Sequence, residues 1–291
     1  MWCSMSAERC RTRAGTLAAC GVALCALWVV TPEHSAGATS GAARASRVSS
    51  TVGMSSRDTA PGRIAARGTP PAVQVMVVGR RRTLFAARSV RAGRVRVRVG
   101  RRRCALAAGT PLGALARARS AGALILRDYG RCSGSTASSG QLFVRGIGPD
   151  RSRSGGRDGW EYKVDQRSGT TGAGDPSGSF GDGRRLRAGQ HVLWFWCVMT
   201  AAGGCQRTLG LALGSGHAAP GAPVTVTVTG YDNEGRGMPV PGADVTADGV
   251  HATTDASGRA TLTAPAQGGR HLLSASRPGL VPSFPVTLSV G

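Results

Sequence analysis

The sequence predicts a β-rich protein of two domains, a small α+β domain followed by an all-β sandwich, preceded by an export signal and a leader. Three observations support this prediction. The chain begins with arginines and a long apolar run, which is typical of secretory signals. Short strand-like segments with one convincing helix fill the middle of the chain. Beyond residue 223, short segments rich in β-branched residues alternate with turn signals, as in a sandwich.

The first 38 residues contain the three parts of a secretory signal peptide. An apolar run of 15 residues, Thr16–Val30, precedes the small residues of a cleavage site at Ala36–Ala38. As a helix this run would reach about 22 Å, which is shorter than the ~30 Å hydrocarbon core of a membrane. We therefore expect a cleaved signal and no transmembrane span after cleavage. The positive region before the run contains Arg9, Arg11 and Arg13.

Composition divides the rest of the chain into four segments. Residues 39–71 are rich in Ser, Ala, Gly, Thr and Arg without an apolar period, which predicts a disordered leader. Residues 72–213 contain 25 basic and 7 acidic residues, a net charge of +18, whereas residues 220–291 contain 4 and 5, a net charge of −1. This step in charge and the Gly, Ala and Pro residues of 214–223 predict a linker between a domain at 72–213 and an independent one at 224–291.

The first domain is predicted to consist of strands around one helix. In residues 94–99 arginine alternates strictly with valine, which places three valines on one face of a strand and three arginines on the other. A helix is predicted at Thr110–Ala118, because Thr110 can cap it and Pro111 suits its first position. A loop rich in Gly, Ser and Asp is expected at 166–183. The other strand-like runs are 73–78, 123–126, 141–144, 160–164, 191–197 and 209–213.

The second domain is predicted to be an all-β sandwich of about 70 residues. Residues 224–229 alternate valine with threonine, and four shorter apolar segments follow, separated by turn signals such as Asp255–Gly258. Asp232–Gly235 resembles part of a calcium loop but lacks the continuation of that motif. We interpret it as a turn.

Four of the eight cysteines lie in the predicted signal, and four remain after it. An even number in an exported protein predicts disulfides, and four cysteines allow three pairings. We favour Cys104–Cys132 and Cys197–Cys205, because each pair is local in sequence. A zinc site is the alternative, although no C-x-x-C motif or nearby histidine accompanies these cysteines.

Two aromatic segments of the first domain, separated by the Gly-rich loop, form a paired pattern. They are WEYKVD at 160–165 and LRAGQHVLWFW at 186–196. The pair is similar to the signature of the transcobalamin-like C-terminal domains, a bacterial family largely of unknown function with a β-grasp fold, in which one helix crosses a sheet. The resemblance implies a β-grasp-like fold for 72–213. Vertebrate relatives close over cobalamin, so the resemblance also implies a corrinoid as a possible ligand. Asp165, Gln166, Gln190 and Trp196 depart from the family's usual residues.

The second domain contains VPGADV at 240–245 and TTDASGRATL at 253–262. These segments resemble bacterial Ig-like and carboxypeptidase-regulatory-like domains. The resemblance implies an Ig-like sandwich that acts as a spacer or adhesive module, and it implies no particular ligand.

Four large aromatic side chains are candidates for a ligand-binding surface. Trp160 and Tyr162 share one face of their strand, and Trp194 and Trp196 share one face of theirs. Such rings offer a flat apolar surface to a ring-bearing molecule or a glycan, with the loop at 166–183 as its rim. The alternative is that they fill the core of a small sheet.

Residues 80–103 contain eleven arginines and no acidic residue. Such a surface would bind an anionic cell-surface polymer, phospholipid headgroups or nucleic acid. The alternative is a solvated strand face in an arginine-rich chain, where 36 of the 37 basic residues are arginine. We do not predict a specific nucleic-acid partner from charge alone. The candidate residues for an anionic partner are Arg94, Arg96, Arg98, Arg101, Arg102 and Arg103.

No motif with a nucleophile, a base or metal ligands supports an enzyme, and the histidines beyond the signal are not spaced as metal ligands. We therefore expect a secreted or cell-surface-associated binding protein with no catalytic residues, metal or cofactor. Its predicted partner is a small ring-bearing ligand such as a corrinoid. The alternative is an adhesion or cell-wall-associated module that binds anionic polymers through its basic face.

Export makes the first testable prediction. Cleavage after Ala38 should release a mature chain whose first residue lies within a few residues of Thr39. N-terminal peptide mass spectrometry of the culture supernatant checks this. Recovery only from the cytoplasm with Met1 intact would contradict it.

Overall fold

The computed structural model describes residues 69–118, 122–153 and 155–291. The predicted signal peptide and residues 39–68 of the predicted leader therefore lie outside the described residues. The described chain is mostly β-strand, as the sequence predicts. No helix in this part of the chain is long and apolar enough to cross a membrane.

The first half is built on a five-stranded sheet with the strand order β2–β1–β10–β8–β9. Strands β1 and β10 are parallel, and the other neighbours are antiparallel. Both central strands are covered on both faces, which explains their almost continuous apolar sequences. The strands are β1 (Ala72–Val78), β2 (Thr83–Arg91), β8 (Gly159–Val164), β9 (Arg167–Ser168) and β10 (His191–Cys197).

A hairpin, one helix and a three-stranded sheet pack around one face of the five-stranded sheet. The valines of the hairpin are partly buried against the core, whereas its arginines are exposed, which confirms the predicted alternation. These elements are β3 (Val95–Val99), β4 (Arg102–Leu106), α1 (Pro111–Ala118), β5 (Leu124–Asp128), a 3-10 turn (Ser139–Gln141), β6 (Leu142–Ile147) and β7 (Asp150–Arg151).

The predicted helix begins with the predicted cap. The Thr110 hydroxyl accepts a hydrogen bond from the Gly113 N–H at 3.2 Å and donates one to the Ala107 carbonyl at 3.0 Å. Leu112 and Leu115 are buried against the sheet. The helix thus closes one side of the core of the first half.

The second half consists of two sheets that enclose an apolar core. The core side chains include Val226, Val228, Leu262, Leu273 and Leu288, all fully buried. One sheet contains β11 (Thr208–Leu213), β13 (Pro223–Tyr231), β14 (Gly237–Pro239) and β17 (Arg259–Thr263). The other contains β12 (His217–Ala218), β15 (Asp244–Ala247), β16 (Val250–Thr253), β18 (Gly269–Ser276) and β19 (Val286–Val290).

The structure moves one predicted strand from the first half to the second. The sequence predicts that the run at 209–213 ends the first domain, but β11 pairs along its whole length with β13. The segment 214–223 contains β12, which pairs with β19, so it is part of the sandwich rather than a free linker. The partner of β11 is β13, which lies after the predicted linker, so β11 belongs to the sheet of the second half. Independent folding of the two halves stays a prediction.

Both predicted disulfides are confirmed. Cys104 and Cys132 are bonded with their Cα atoms 5.3 Å apart, and Cys197 and Cys205 are bonded at 5.1 Å. The first bond ties the hairpin to the segment that follows β5. The second closes the short connection between β10 and β11.

The one lysine of the chain joins the two halves, which lie in one compact unit. Lys163 is 0% exposed, and its Nζ donates to Thr208 Oγ1 at 3.0 Å and to the carbonyls of Tyr231 and Asp232 at 3.1 and 2.6 Å. A compact ammonium with three donors fits three converging oxygens, whereas the planar fork of arginine does not. Asp232–Gly235 forms the predicted turn, and the Asp232 carbonyl accepts a hydrogen bond from the Lys163 ammonium.

Burial of Lys163 makes stability depend on pH in a defined direction. Desolvation lowers the pKa of Lys163 to about 8, with Asp232 opposing the shift. Between about pH 8 and the ordinary lysine pKa near 10.5, the unfolded chain holds a proton that the folded chain has released. The contribution of Lys163 to the free energy of unfolding should therefore increase with pH across this range.

Urea denaturation of the natural protein and of Lys163→Met between pH 7 and 9.5 tests this. We expect Lys163→Met to be less stable by about 1–3 kcal/mol at pH 7, because two carbonyls lose a buried donor. The stability gap between the two proteins should widen above pH 8. Lys163→Arg, which stays charged, should show no such pH dependence. Parallel pH profiles for all three proteins would contradict the assignment.

Candidate functional site

The four aromatic residues predicted to bind a ligand lie together but are buried. Strands β8 and β10 pair Trp160 with Trp196 and Tyr162 with Trp194. The first pair meets edge to face with ring centroids 5.7 Å apart, and the second lies tilted at 5.4 Å. All four side chains belong to the core that α1 and the hairpin cover. The rings therefore share one face, as the alternation predicts, but that face is interior.

The Gly-rich loop at 166–183 closes over this face rather than forming an open rim. The Tyr162 hydroxyl donates a hydrogen bond to the Thr171 carbonyl at 2.9 Å, and Ala173 and Ser179 of the loop are buried. A side chain at Gly169 would overlap the Tyr162 ring, since its Cβ would lie 2.0 Å from the hydroxyl oxygen. Close approach to the core thus explains a glycine here. Ligand binding by the four rings stays a prediction that requires this core to open.

The predicted anionic-partner residues are exposed on the β3–β4 hairpin. All eleven arginines of 80–103 are exposed. Arg98 and Arg103 lie directly opposite each other across the two strands, and Arg96 lies on the same face two residues away. Like charges in such positions repel each other and destabilise the hairpin. We name the exposed side of Arg94, Arg96, Arg98, Arg101 and Arg103 the arginine face.

Few carboxylates neutralise these arginines. Arg102 forms an ion pair of 3.4 Å with Asp128, which is nearly buried. Across the described residues, no other arginine of 80–103 forms a salt bridge. The positive charge of the arginine face is therefore available to an external anion.

A second cationic surface, which the sequence analysis missed, lies on the exposed side of strands β5 and β6. Arg127 stands opposite Phe143 in the register, and Arg127 lies 4.9 Å over the ring of Tyr129. Tyr129 and Phe143 meet edge to face at 6.4 Å. The alternation of β6, with Leu142 and Val144 buried and Phe143 exposed, is the sequence signal that predicts this face.

These side chains line a cleft of about 270 Å³. Arg145, Arg157, Asp158 and Glu161 also line the cleft, as does Trp160, whose side chain is buried. The Arg145 guanidinium donates to the Ser152 carbonyl at 3.1 Å, which fixes its position. We name this site the Tyr129 cleft. It combines exposed rings, cations and carboxylates.

Within the range that the structure describes, no group of three or more histidine, cysteine or acidic side chains is placed to hold a metal ion. Buried His271 contacts Asp248 and the Gln267 carbonyl, and the His191 ring packs tilted at 59° against Phe284 with the ring centroids 4.6 Å apart. These two histidines therefore have structural partners. Comparison with protein-family models, with curated proteins and with solved structures finds no match to the chain.

Burial of the aromatic pairs predicts the effect of truncating one of them. Trp194→Ala should lower the free energy of unfolding by about 3–5 kcal/mol, because it leaves a large cavity in a packed core. Trp194→Phe should cost less, since it retains a ring. Urea denaturation followed by circular dichroism measures both. An Ala variant as stable as the natural protein would show that the ring is not core.

Proposed function

We propose that the chain is a secreted or cell-surface-associated protein without catalytic activity, and that it binds an anionic polymer through the arginine face. The observation that carries the proposal is the cross-strand pair of Arg98 and Arg103, neither of which forms a salt bridge among the described residues. Two like charges that face each other across neighbouring strands lower the free energy of unfolding. A polymer with closely spaced negative charges would relieve this repulsion and gain from several arginines at once.

The disulfides support the proposed location. Two formed disulfides in a chain of this size are typical of extracellular proteins, because the cytosol keeps thiols reduced. The proposed signal peptide at 1–38 agrees with this location. The sandwich would then act as a spacer that holds the first half at the surface.

The topology supports the proposed family relationships. A mixed sheet with a central parallel pair and one packed helix is compatible with a β-grasp-like fold of the transcobalamin-like kind. Two packed, largely antiparallel sheets are compatible with an Ig-like domain. We infer these relationships from topology and sequence pattern together.

A polymer is favoured over a corrinoid by the position of the aromatic residues. A corrinoid would need an exposed apolar surface, and Trp160, Tyr162, Trp194 and Trp196 are buried. The arginine face needs no rearrangement to bind. The four rings predicted to bind a corrinoid therefore offer it no exposed surface.

Retention on dextran sulfate tests the proposal. We expect the purified protein to bind immobilised dextran sulfate, and not neutral dextran, with an affinity that decreases as salt is added. The triple variant Arg96→Gln, Arg98→Gln, Arg103→Gln should bind at least tenfold more weakly, a change of about 1.4 kcal/mol. Its stability should not fall, because the variant removes repulsion.

A variant with the same change in net charge provides the control. Arg259, Arg270 and Arg277 are exposed on the sandwich, and their replacement by glutamine removes three charges away from the hairpin. This control should retain most of the affinity. Equal losses in the two triple variants would show that net charge alone drives binding and would overturn the proposed surface.

A further inference from the structure

The Tyr129 cleft contains exposed aromatic rings and carboxylates, which the arginine face lacks. Tyr129 is 61% exposed and Phe143 is 42% exposed, although they contact each other. Exposed neighbouring rings leave apolar area in water, which a ligand can cover. Arginines and carboxylates stand in the same cleft, so a ligand there must satisfy both kinds of charged group.

The carboxylates restrict the class of ligand. Glu161 is exposed at the wall of the cleft. Desolvation raises the pKa of its carboxyl group, and a backbone hydrogen bond at Tyr162 partly opposes this shift. Asp158 accepts the Met199 N–H at 3.2 Å through one oxygen, which leaves the other oxygen available. A carboxylate accepts hydrogen bonds from hydroxyl groups, whereas a phosphodiester has no hydrogen to donate to it. The ligand should therefore carry hydroxyl groups.

The aromatic rings and the arginines of the cleft indicate two further features of the ligand, an apolar ring face and a negative charge. The face of an aromatic ring covers the C–H face of a sugar ring, as it covers other apolar surfaces. The Arg157 guanidinium is exposed, and a guanidinium binds a carboxylate through two parallel hydrogen bonds. A volume of about 270 Å³ lies just below the usual range of small-molecule sites, which suits one or two sugar rings better than a larger ligand.

We propose that the Tyr129 cleft binds a uronic-acid unit of an acidic polysaccharide. Tyr129 and Phe143 cover the sugar ring, Arg157 and Arg145 bind its carboxylate, and Glu161 accepts hydrogen bonds from its hydroxyl groups. This inference rests on the proposed function, because it names the chemical class of the anionic polymer. Arg102 of the hairpin forms an ion pair with Asp128. The residues on either side of Asp128, Arg127 and Tyr129, line the cleft, so the hairpin and the cleft are adjacent.

Calorimetric titration of the purified protein with tetragalacturonate tests the cleft. Binding should also change the fluorescence of Trp160, which lines the cleft. We expect Tyr129→Ala and Arg157→Gln each to weaken binding at least tenfold, and Tyr129→Phe to retain it, because the ring is kept. Leu272→Ala is the matched control, since Leu272 is 60% exposed on the sandwich. It should leave binding unchanged.

Two other probes separate this class of ligand from its rivals. Maltotetraose has the hydroxyl groups without the carboxylates, and a tetramer of thymidylate has the charge without the sugar hydroxyls. Both should bind at least tenfold more weakly than tetragalacturonate. Equal binding of maltotetraose would overturn recognition of the acid, and tighter binding of thymidylate that Tyr129→Ala abolishes would assign the cleft to nucleic acid.

Failure of this inference is distinguishable from failure of the proposed function. Arg96→Gln, Arg98→Gln, Arg103→Gln should lose retention on dextran sulfate while keeping most of the affinity for tetragalacturonate. Tyr129→Ala should show the reverse. Retention of dextran sulfate binding with no binding of tetragalacturonate would overturn the cleft and leave the arginine face supported.

Discussion

Strands β1 and β10 are covered on both faces, and the rest of the structure follows from this constraint. One face of β10 directs Trp194 and Trp196 into the core beneath α1 and the hairpin, and the other directs Leu193 and Phe195 towards Val281 of the second half. A sheet with two apolar faces needs two covering layers, because exposed apolar surface is unfavourable in water. The sandwich therefore packs against the first half, and its oxygens satisfy the ammonium of Lys163, which lies on that second face.

Burial of the large rings leaves the outer strands to contact a partner. The hairpin turns its valines inward and its arginines outward, and strand β6 turns Leu142 and Val144 inward and Phe143 outward. The same period-2 alternation thus builds the core and the two candidate surfaces. Arginine suits both surfaces, because its charge does not titrate and its planar group binds anions through two hydrogen bonds.

Local signals in the sequence predicted much of the fold. The cap at Thr110, the alternation of residues 94–99 and the two disulfides each depend on residues close in sequence, and each is present. Alternation also predicted that Trp194 and Trp196 share a face, but alternation cannot show what covers that face. The assignment of β11 was wrong because its partner strand lies beyond the presumed linker. The Tyr129 cleft was missed because Tyr129 and Phe143 meet only through the register of β5 and β6.

We infer that an anionic polymer binds the exposed arginines of the first half while the tryptophans remain in the core. Arginine-selective covalent labelling, with peptide mass spectrometry in the presence and absence of dextran sulfate, tests it most directly. We expect the polymer to protect Arg96, Arg98 and Arg103 and to leave the labelling of Arg259 and Arg270 unchanged. Protection confined to the arginines of the sandwich, or no protection of the hairpin at saturating polymer, would contradict it.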